Sequence, residues 1–582
     1  MEEIMNYQKD TVITVEIVDC ASEGEGIGKI DGYPFFIKDA LIGDVVKAKV
    51  MKAKKNFSYA RLLEIVIPSK KRCNPPCPVY KSCGGCQLQA MSYPEQLLFK
   101  QNKVRNNLQR IGKVLPELLD QKMESIIGME DPWRYRNKAQ YPIGRTKKEP
   151  DRNGGKLVAG FYAGRTHSVI ACEDCFLGPF NHKDILSVIL GFMDQERIEP
   201  YDEKTRTGIV RHVLIREGFA TGQIMVVLVM NEKIEKSEKL HDFTSLIDEL
   251  RKIPGMASII LNENRNDTNV ILGNRCLTIF GSDTIEDRLM GLKFQISPLA
   301  FYQVNPIQTE KLYKTVLEFA DLSGTEEVWD ICCGIGTITL ALSEQARLVH
   351  GLEIVPEAID DAKKNAQENQ IQNVDFLCAP AEVYMPEHQN EITADVIVVD
   401  PPRKGMDEES LAAMVLMNPE KIVYVSCDSA TLARDVKYLN DHGYELARIR
   451  PVDMFPHSVH VETVCLLSKL HEAKHHVSVK LDMDELDLTA SESKATYEEI
   501  KKYVAEHYDG MKVTNLYIAQ VMRKCGIELA ENFNLPKWEG AKGLGDLCSE
   551  RTGVGTKTAK QPQCPKEKED AIVEALKHFK MI

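Results

Sequence analysis

The segment "IVYVSCDSATLARD", residues 422–435, carries an apolar run into Ser426 and Cys427, then turns polar before a helical stretch. Cysteine packs well in cores. Strand ends in α/β proteins also face the ligand crevice, and a thiol there can act as a nucleophile. The preceding strand, "VIVVDPPRKG", ends on Asp400, two prolines and a cation. Pro401 and Pro402 lack an N–H and fix φ, so the loop is expected to be rigid and to suit a planar substrate. Strand ends of one parallel sheet share an edge, which predicts Asp400 and Cys427 in one crevice. Further on, "DMFPHSVHVETVCLL" sets Glu462 in an alternating stretch with His457 and His460, expected as an added strand beside the same site.

A second constellation lies upstream. In "VWDICCGIGTITL" a strand reaches Asp330, and Gly334 and Gly336 open a tight turn into a helix. Glycine lets the backbone approach a ligand closely. Glu353 ends the next strand, "RLVHGLEIV", about 20 residues later, where a carboxylate can accept hydrogen bonds from both ribose hydroxyls of a nucleoside cofactor. The bland reading of Glu353 is a helix-capping acid. The glycine turn, Glu353 and Asp400 follow the order of S-adenosylmethionine-dependent methyltransferases. The competing reading, a nicotinamide dehydrogenase, lacks its third glycine.

A thiol, an acid or base and a methyl donor suit one reaction. C5 of uracil is a poor nucleophile. A thiolate adding to C6 makes C5 enolate-like and able to take a methyl group. The C5 proton then leaves to a base and the thiol is expelled. The ordered motifs "AFYQVN", "DICCGIGTITL", "VDPPRKG", "YVSCDSATLARD" and "HVETV" resemble those of the RNA 5-methyluridine (uracil-C5) methyltransferases. That resemblance implies Cys427 as the nucleophile and Glu462 as the base. It also implies Gln303, Glu353 and Asp400 as cofactor-site residues, with Cys332 where the family has an aromatic cofactor contact. Asp428 and Ser429 replace the family's Asn-Pro. That substitution predicts a less rigid turn and a carboxylate that raises the neighbouring thiol pKa. Cys333 and Cys465 read as core residues.

Four of the 16 cysteines cluster in "CNPPCPVYKSCGGCQ". By spacing, Cys73, Cys77, Cys83 and Cys86 could form a zinc site, though the middle gap is far below the about 15 to 20 residues of zinc ribbons. An iron–sulfur site is the alternative. Cys172 and Cys175 in "HSVIACEDCFLGPF" offer a remote ligand. The family pattern, C-x5-C-x2-C plus a remote cysteine, implies a [4Fe–4S] cluster on Cys77, Cys83, Cys86 and Cys175, with Cys73 and Cys172 spare. The triad spacing is not that of radical enzymes.

These residues need a scaffold. The chain has 582 residues, enough for about three to five domains. Residues 8–68 read as short strands of a small barrel, with Lys47, Lys49, Lys52, Lys54, Lys55 and Arg61 beside Phe57 and Tyr59. Cations tracking phosphates and rings stacking on bases suit single-stranded nucleic acid; a solvated basic face is the plainer reading. The stretch resembles a TRAM domain (OB-like, RNA-binding). Residues 69–300 hold the cysteine cluster and a mixed, strand-rich region. Residues 301–470 alternate strands and helices, predicting an α/β, doubly wound sheet; the family resemblance implies that it is a class I methyltransferase domain. An acidic linker is expected over 471–492 and a helical C-terminal extension over 493–582.

The net charge of −13 confines polyanion binding to local patches. No run approaches about 18 apolar residues, and the polar N-terminus is no signal peptide, so no membrane partner and a cytoplasmic location are expected. The family's ribosomal branch carries both barrel and cysteine cluster. The expected partner is therefore RNA, with 23S rRNA favoured over tRNA, and a monomer is expected. An exocyclic-amine methyltransferase using the Asp-Pro-Pro turn, or a non-catalytic RNA-binding protein, are the competing readings.

Overall fold

A computed structural model describes residues 7–146, 155–164, 166–172, 174–179, 181–236, 241–388, 391–470, 497–508, 511, 513, 515–524 and 565–578. The expected acidic linker and the turn-rich stretch after residue 537 lie outside the described residues. The chain divides into two compact units after Glu472.

In the first unit, strands β1 (Val12–Cys20), β2 (Gly26–Ile30), β3 (Tyr33–Lys38), β4 (Val45–Ala53) and β5 (Ser58–Ile67) close into a barrel in the order β1-β2-β3-β5-β4. The period of two in "VITVEIV" sends Ile13, Val15 and Ile17 inward. They meet Phe35, Ile37, Val46, Ala48 and Val50 there.

The 18-residue helix Tyr93–Arg110 follows. Gln96, Lys100, Val104 and Leu108 recur every four residues and form its buried face.

The central region builds a seven-stranded sheet from β6 (Lys138–Arg145), β7 (Leu157–Tyr162), β8 (Val169–Ala171), β9 (Val210–Glu217), β10 (Ile224–Met230), β11 (Met256–Glu263) and β12 (Arg275–Gly281). The "GIVRHVLIREG" and "GQIMVVLVMN" segments pair antiparallel as β9 and β10, as their patterns predict. A short hairpin, β13 (Ile285–Leu289) with β14 (Leu292–Ile296), leads into the next domain.

There, β15 (Glu327–Ile331), β16 (Leu348–Glu353), β17 (Val374–Cys378), β18 (Val396–Val399) and β19 (Lys421–Ser426) run parallel. Antiparallel β20 (Tyr444–Val452) and β21 (Glu462–Lys469) complete the order β17-β16-β15-β18-β19-β21-β20. All four residues of β18 are buried, as in strands covered on both faces. One core lies on each side of this sheet: Val328, Val398 and Val423 face one, Trp329, Ile397 and Tyr424 the other. This is an α/β doubly wound fold. β21 departs from the expected alternation: its first six residues are all buried, because neighbours cover both its faces.

The second unit packs helices Tyr497–His507, Asn515–Lys524 and Lys566–His578 around Ile500, Val504, Ile518, Val521, Ile572 and Leu576. No helix among the described residues is long and apolar enough to cross a membrane.

Candidate active site and cysteine cavity

Strand order gathers the chemistry-bearing residues. Asp400 and Cys427 follow neighbouring parallel strands, and β21 runs back along β19 with Ser426 opposite Thr463. Glu462, at the start of β21, therefore sits at the sheet edge where Cys427 follows the end of β19. A cleft of about 860 Å³ opens over this edge. Gln303, Cys332, Glu353, Asp400, Cys427 and Glu462 all line it. Arg403, the cation after the two prolines, also lines it, as do Arg136, Phe301 and Tyr313, to which the sequence assigned no role.

The glycine turn forms one end. Cys332 adopts φ 68° and Gly336 φ 82°. A Cβ on Gly336 would come within 3.1 Å of the Phe376 ring, a tight contact added to the strain of its positive φ. Gly334 donates its N–H to Glu353 Oε2 at 3.1 Å, while Glu353 Oε1 accepts from Ile354 and Val355. Glu353 thus serves as a local cap while its half-buried carboxylate faces the cleft. Behind the turn, Thr339 donates to Asp330 Oδ2 at 2.6 Å and Asp330 Oδ1 has no partner. Burial pushes the Asp330 carboxyl up to about 7. The buried Gln303 is held from behind, its carbonyl accepting from Asn137 Nδ2 at 3.0 Å.

The Asp-Pro-Pro loop is strapped to helix Ser429–Asp441. Asp435 Oδ2 accepts from Met406 N at 3.0 Å, and Arg434 Nη2 donates to the carbonyls of Lys404 and Met406. Gly405, at φ 72°, is where these groups come closest: a Cβ would lie 2.5 Å from Asp435 Oδ2.

Acids crowd the thiol. Burial, then Glu462 and Asp400, push the half-buried Cys427 thiol up to about 11, with Arg403 opposing. Burial, then Asp400, raises the Glu462 carboxyl well above the usual range, and Arg403 again opposes. Burial holds Asp400 up at about 6. Arg403 is the cation that favours the charged forms of both Cys427 and Glu462.

The expectation for Asp428 is corrected. Its carboxylate turns to the helix N-terminus, where Oδ1 accepts from Ala430 N at 2.8 Å and Thr431 N at 3.4 Å. Ser429 is buried and bonded to Asn107 Nδ2 at 2.8 Å. The turn is held by a helix cap instead of a proline, and the acids acting on the thiol are Glu462 and Asp400.

A second cavity, about 280 Å³, is lined by Cys77, Cys83, Cys86, Cys172 and Cys175. Cys73 lies outside it, its thiol donating to the Gln89 carbonyl at 3.2 Å, so the four-cysteine zinc set is not brought together. Cys172, expected to be spare, lines the cavity beside Cys175. Gly85 donates its N–H to Cys83 Sγ at 3.4 Å, while Tyr80 and Gly178 donate theirs to the Cys77 and Cys175 carbonyls. A donor to sulfur, as at Cys83, stabilises a thiolate ligand. Among the described residues no three His, Cys, Asp or Glu side chains are placed to share one metal ion. A space ringed by cysteines fits a multi-atom cluster better than a single ion. Cys333 and Cys465 are buried core residues, as expected.

On the barrel, Phe36, Phe57 and Tyr59 form a ring cluster with centroids 5.5–5.7 Å apart. Lys49 pairs with Asp10 at 2.8 Å, whereas Lys52, Lys54, Lys55 and Arg61 have no ion-pair partner among the described residues.

The family model of tRNA (Uracil-5-)-methyltransferase matches residues 218–470, and the TRAM domain model matches residues 8–63. The chain is 45% identical over 476 residues to an uncharacterized RNA methyltransferase of Clostridium tetani, covering 81% of this chain and 100% of the relative. A Clostridium acetobutylicum RNA methyltransferase is 45% identical over 473 residues, with the same coverage. Among solved structures, the Pyrococcus abyssi tRNA (uracil-54, C5)-methyltransferase in complex with S-adenosyl-L-homocysteine superposes with a TM-score of 0.61 at 25% identity, covering 78% of this chain and 99% of that one. With relatives of this identity matched over their full length, and with the uracil-5 domain behind a TRAM barrel, the chain belongs to the RNA (uracil-5-)-methyltransferase family.

Proposed function

We propose that this protein methylates C5 of uridine in 23S rRNA through a covalent bond between Cys427 and C6 of the base. The observation that carries this reading is the meeting of Cys427 and Glu462 at adjacent strand ends, over a cleft that also holds Glu353, Asp400 and the glycine turn. S-adenosylmethionine, which these cleft residues suit, supplies an electrophilic methyl group when bound. Gln303, Cys332, Glu353 and Asp400 hold that cofactor.

The remaining work falls to the chain's own residues. The Cys427 thiol loses its proton to water, the thiolate adds to C6, and Arg403 offsets the charge of the thiolate beside two acids. Addition loads the C6–C5 bond's electrons onto C5, which takes the methyl group. Glu462, as the carboxylate, removes the C5 proton; the C6–Sγ bond breaks and the thiolate leaves. A buried carboxyl with a raised pKa is a stronger base once ionised, which suits a proton on carbon.

Cys77, Cys83, Cys86 and Cys175 hold a [4Fe–4S] cluster in the second cavity, with a structural or RNA-positioning role, because methyl transfer needs no electron. Residues 8–68 bind RNA, 69–300 position it, 301–470 carry the chemistry, and 471–492 link to a helical extension over 493–582. The protein works as a cytoplasmic monomer. The barrel together with the cysteine cavity supports ribosomal RNA. A tRNA substrate is the second reading, favoured by the Pyrococcus abyssi neighbour.

Cys427→Ala is expected to abolish methylation while S-adenosylmethionine binding persists. Methylation that survives rules out the thiol mechanism in favour of exocyclic-amine chemistry. Mass spectrometry of rRNA and tRNA from a deletion strain identifies the substrate: a 5-methyluridine lost from 23S rRNA supports the reading, and one lost from tRNA overturns it.

A further inference from the structure

The wall between the cleft and the cysteine cavity is cationic. Arg136 lines both spaces and Lys138 lines the cysteine cavity. Lys138 lies directly opposite Arg216 across the β6–β9 ladder, and like charges opposite one another destabilise a sheet. Arg216 is 2% exposed, donates to the Ala300 carbonyl, and leaves its Nε without a partner. None of these three cations has an acidic partner among the described residues. The nearby carboxylate, Asp174, is taken up by Arg134 through two hydrogen bonds of 2.6 and 2.7 Å. No Asp or Glu lines the cysteine cavity. Burial, then Arg216 and Arg136, push Lys138 down to about 7, as fits a cation whose balancing charge is missing.

Arg216 is buried and Arg136 and Lys138 are half-buried; charges withdrawn from water are normally paired, so this arrangement calls for an anion. Four cysteine thiolates around an iron–sulfur core carry net negative charge and fill the space that Lys138 faces. We propose that Lys138 is the counter-cation of the cysteine-held cluster and sets its reduction potential. The inference rests on the cluster reading made above. Lys138 acts as a positioning charge and touches neither the base nor the methyl donor. A cation beside the cluster stabilises the reduced, more negative state, so its removal makes reduction harder.

The test uses the full chain, reconstituted without oxygen, as wild type, Lys138→Gln and Lys138→Arg. Iron and acid-labile sulfide are measured, and one-electron reduction by dithionite is followed by electron paramagnetic resonance. Lys138→Gln is expected to load like wild type, with the reduced-to-oxidised ratio at the wild-type midpoint falling about tenfold, or 59 mV for a one-electron couple. Lys138→Arg is expected to keep the wild-type midpoint. A Gln variant that fails to load while the Arg variant loads also supports the counter-charge. A fully loaded Gln variant with an unshifted midpoint overturns the inference and leaves the cluster reading standing. Loss of the cluster in both variants overturns the charge role in favour of packing. A wild-type protein that takes up neither iron nor sulfide overturns both readings.

Discussion

A thiol pushed up to about 11 is a poor nucleophile at neutral pH unless something favours its thiolate. Arg403 is the group that does so, and it favours the ionised Glu462 as well. Both residues must lose a proton before the reaction proceeds, so kcat/KM is expected to rise with pH through the neutral range and to level off only near the thiol's own value of about 11. Arg403→Gln is expected to displace this limb to higher pH, and a displacement of about one pH unit lowers the rate at fixed pH about tenfold. A pH–rate profile checks this, and an unmoved limb would assign Arg403 to RNA binding alone. Cys427 and Asp400 were legible because each closes an apolar run on a reactive side chain, and Glu462 through the motif "HVETV". The effect of Arg403 was not, because it acts through space across a loop. Asp428 shows the reverse error: adjacency in sequence suggested an electrostatic neighbour, but its carboxylate caps the helix.

The loop that delivers Glu462 is fixed by an element far away in the chain. Lys100, buried in helix Tyr93–Arg110, pairs with the equally buried Asp453, to which Tyr93 Oη also donates at 2.9 Å. Gln96 Oε1 accepts from His457 N at 2.9 Å, and the His457 ring stacks on Trp133 at 3.8 Å. This clamp holds the loop from Asp453 to Glu462 against the cleft. Asp453→Asn leaves a buried ammonium uncompensated and is expected to cost about 3–5 kcal/mol, whereas Lys100→Met with Asp453→Asn recovers most of it. Denaturant unfolding of the wild type and the two variants measures this. Equal losses in single and double variants would contradict it. The helix itself was readable from its four-residue spacing, but its partner was not, since nothing local in "FKQNK" points to a carboxylate more than 350 residues on. The strand of Glu462 was expected for the wrong pattern: it is buried on both faces, so it has no alternation to read.

Relatives matched over 100% of their length account for 81% of this chain, and the first compact unit ends at Glu472. The chemistry therefore belongs to that unit. A chain ended after Glu472 is expected to keep cofactor binding, its main thermal transition and methylation within about twofold. Loss of cofactor binding would show that the helical extension supports the cleft. The alternation of strands and helices made the doubly wound domain readable, and short regular strands did the same for the barrel. The cationic wall formed by Arg136 and Lys138, with Arg216 opposite Lys138 in the ladder, was not readable, because it needs the pairing of strands about 80 residues apart.

The covalent bond is tested most directly with RNA bearing 5-fluorouridine at the target site. Fluorine at C5 cannot leave as a proton, so the complex stalls after methyl transfer. The expected result is a stable protein–RNA adduct whose peptide map assigns the linkage to Cys427, absent in Cys427→Ala and absent without the methyl donor. Methylation of ordinary RNA with no adduct through Cys427 on the fluorinated substrate would contradict the account.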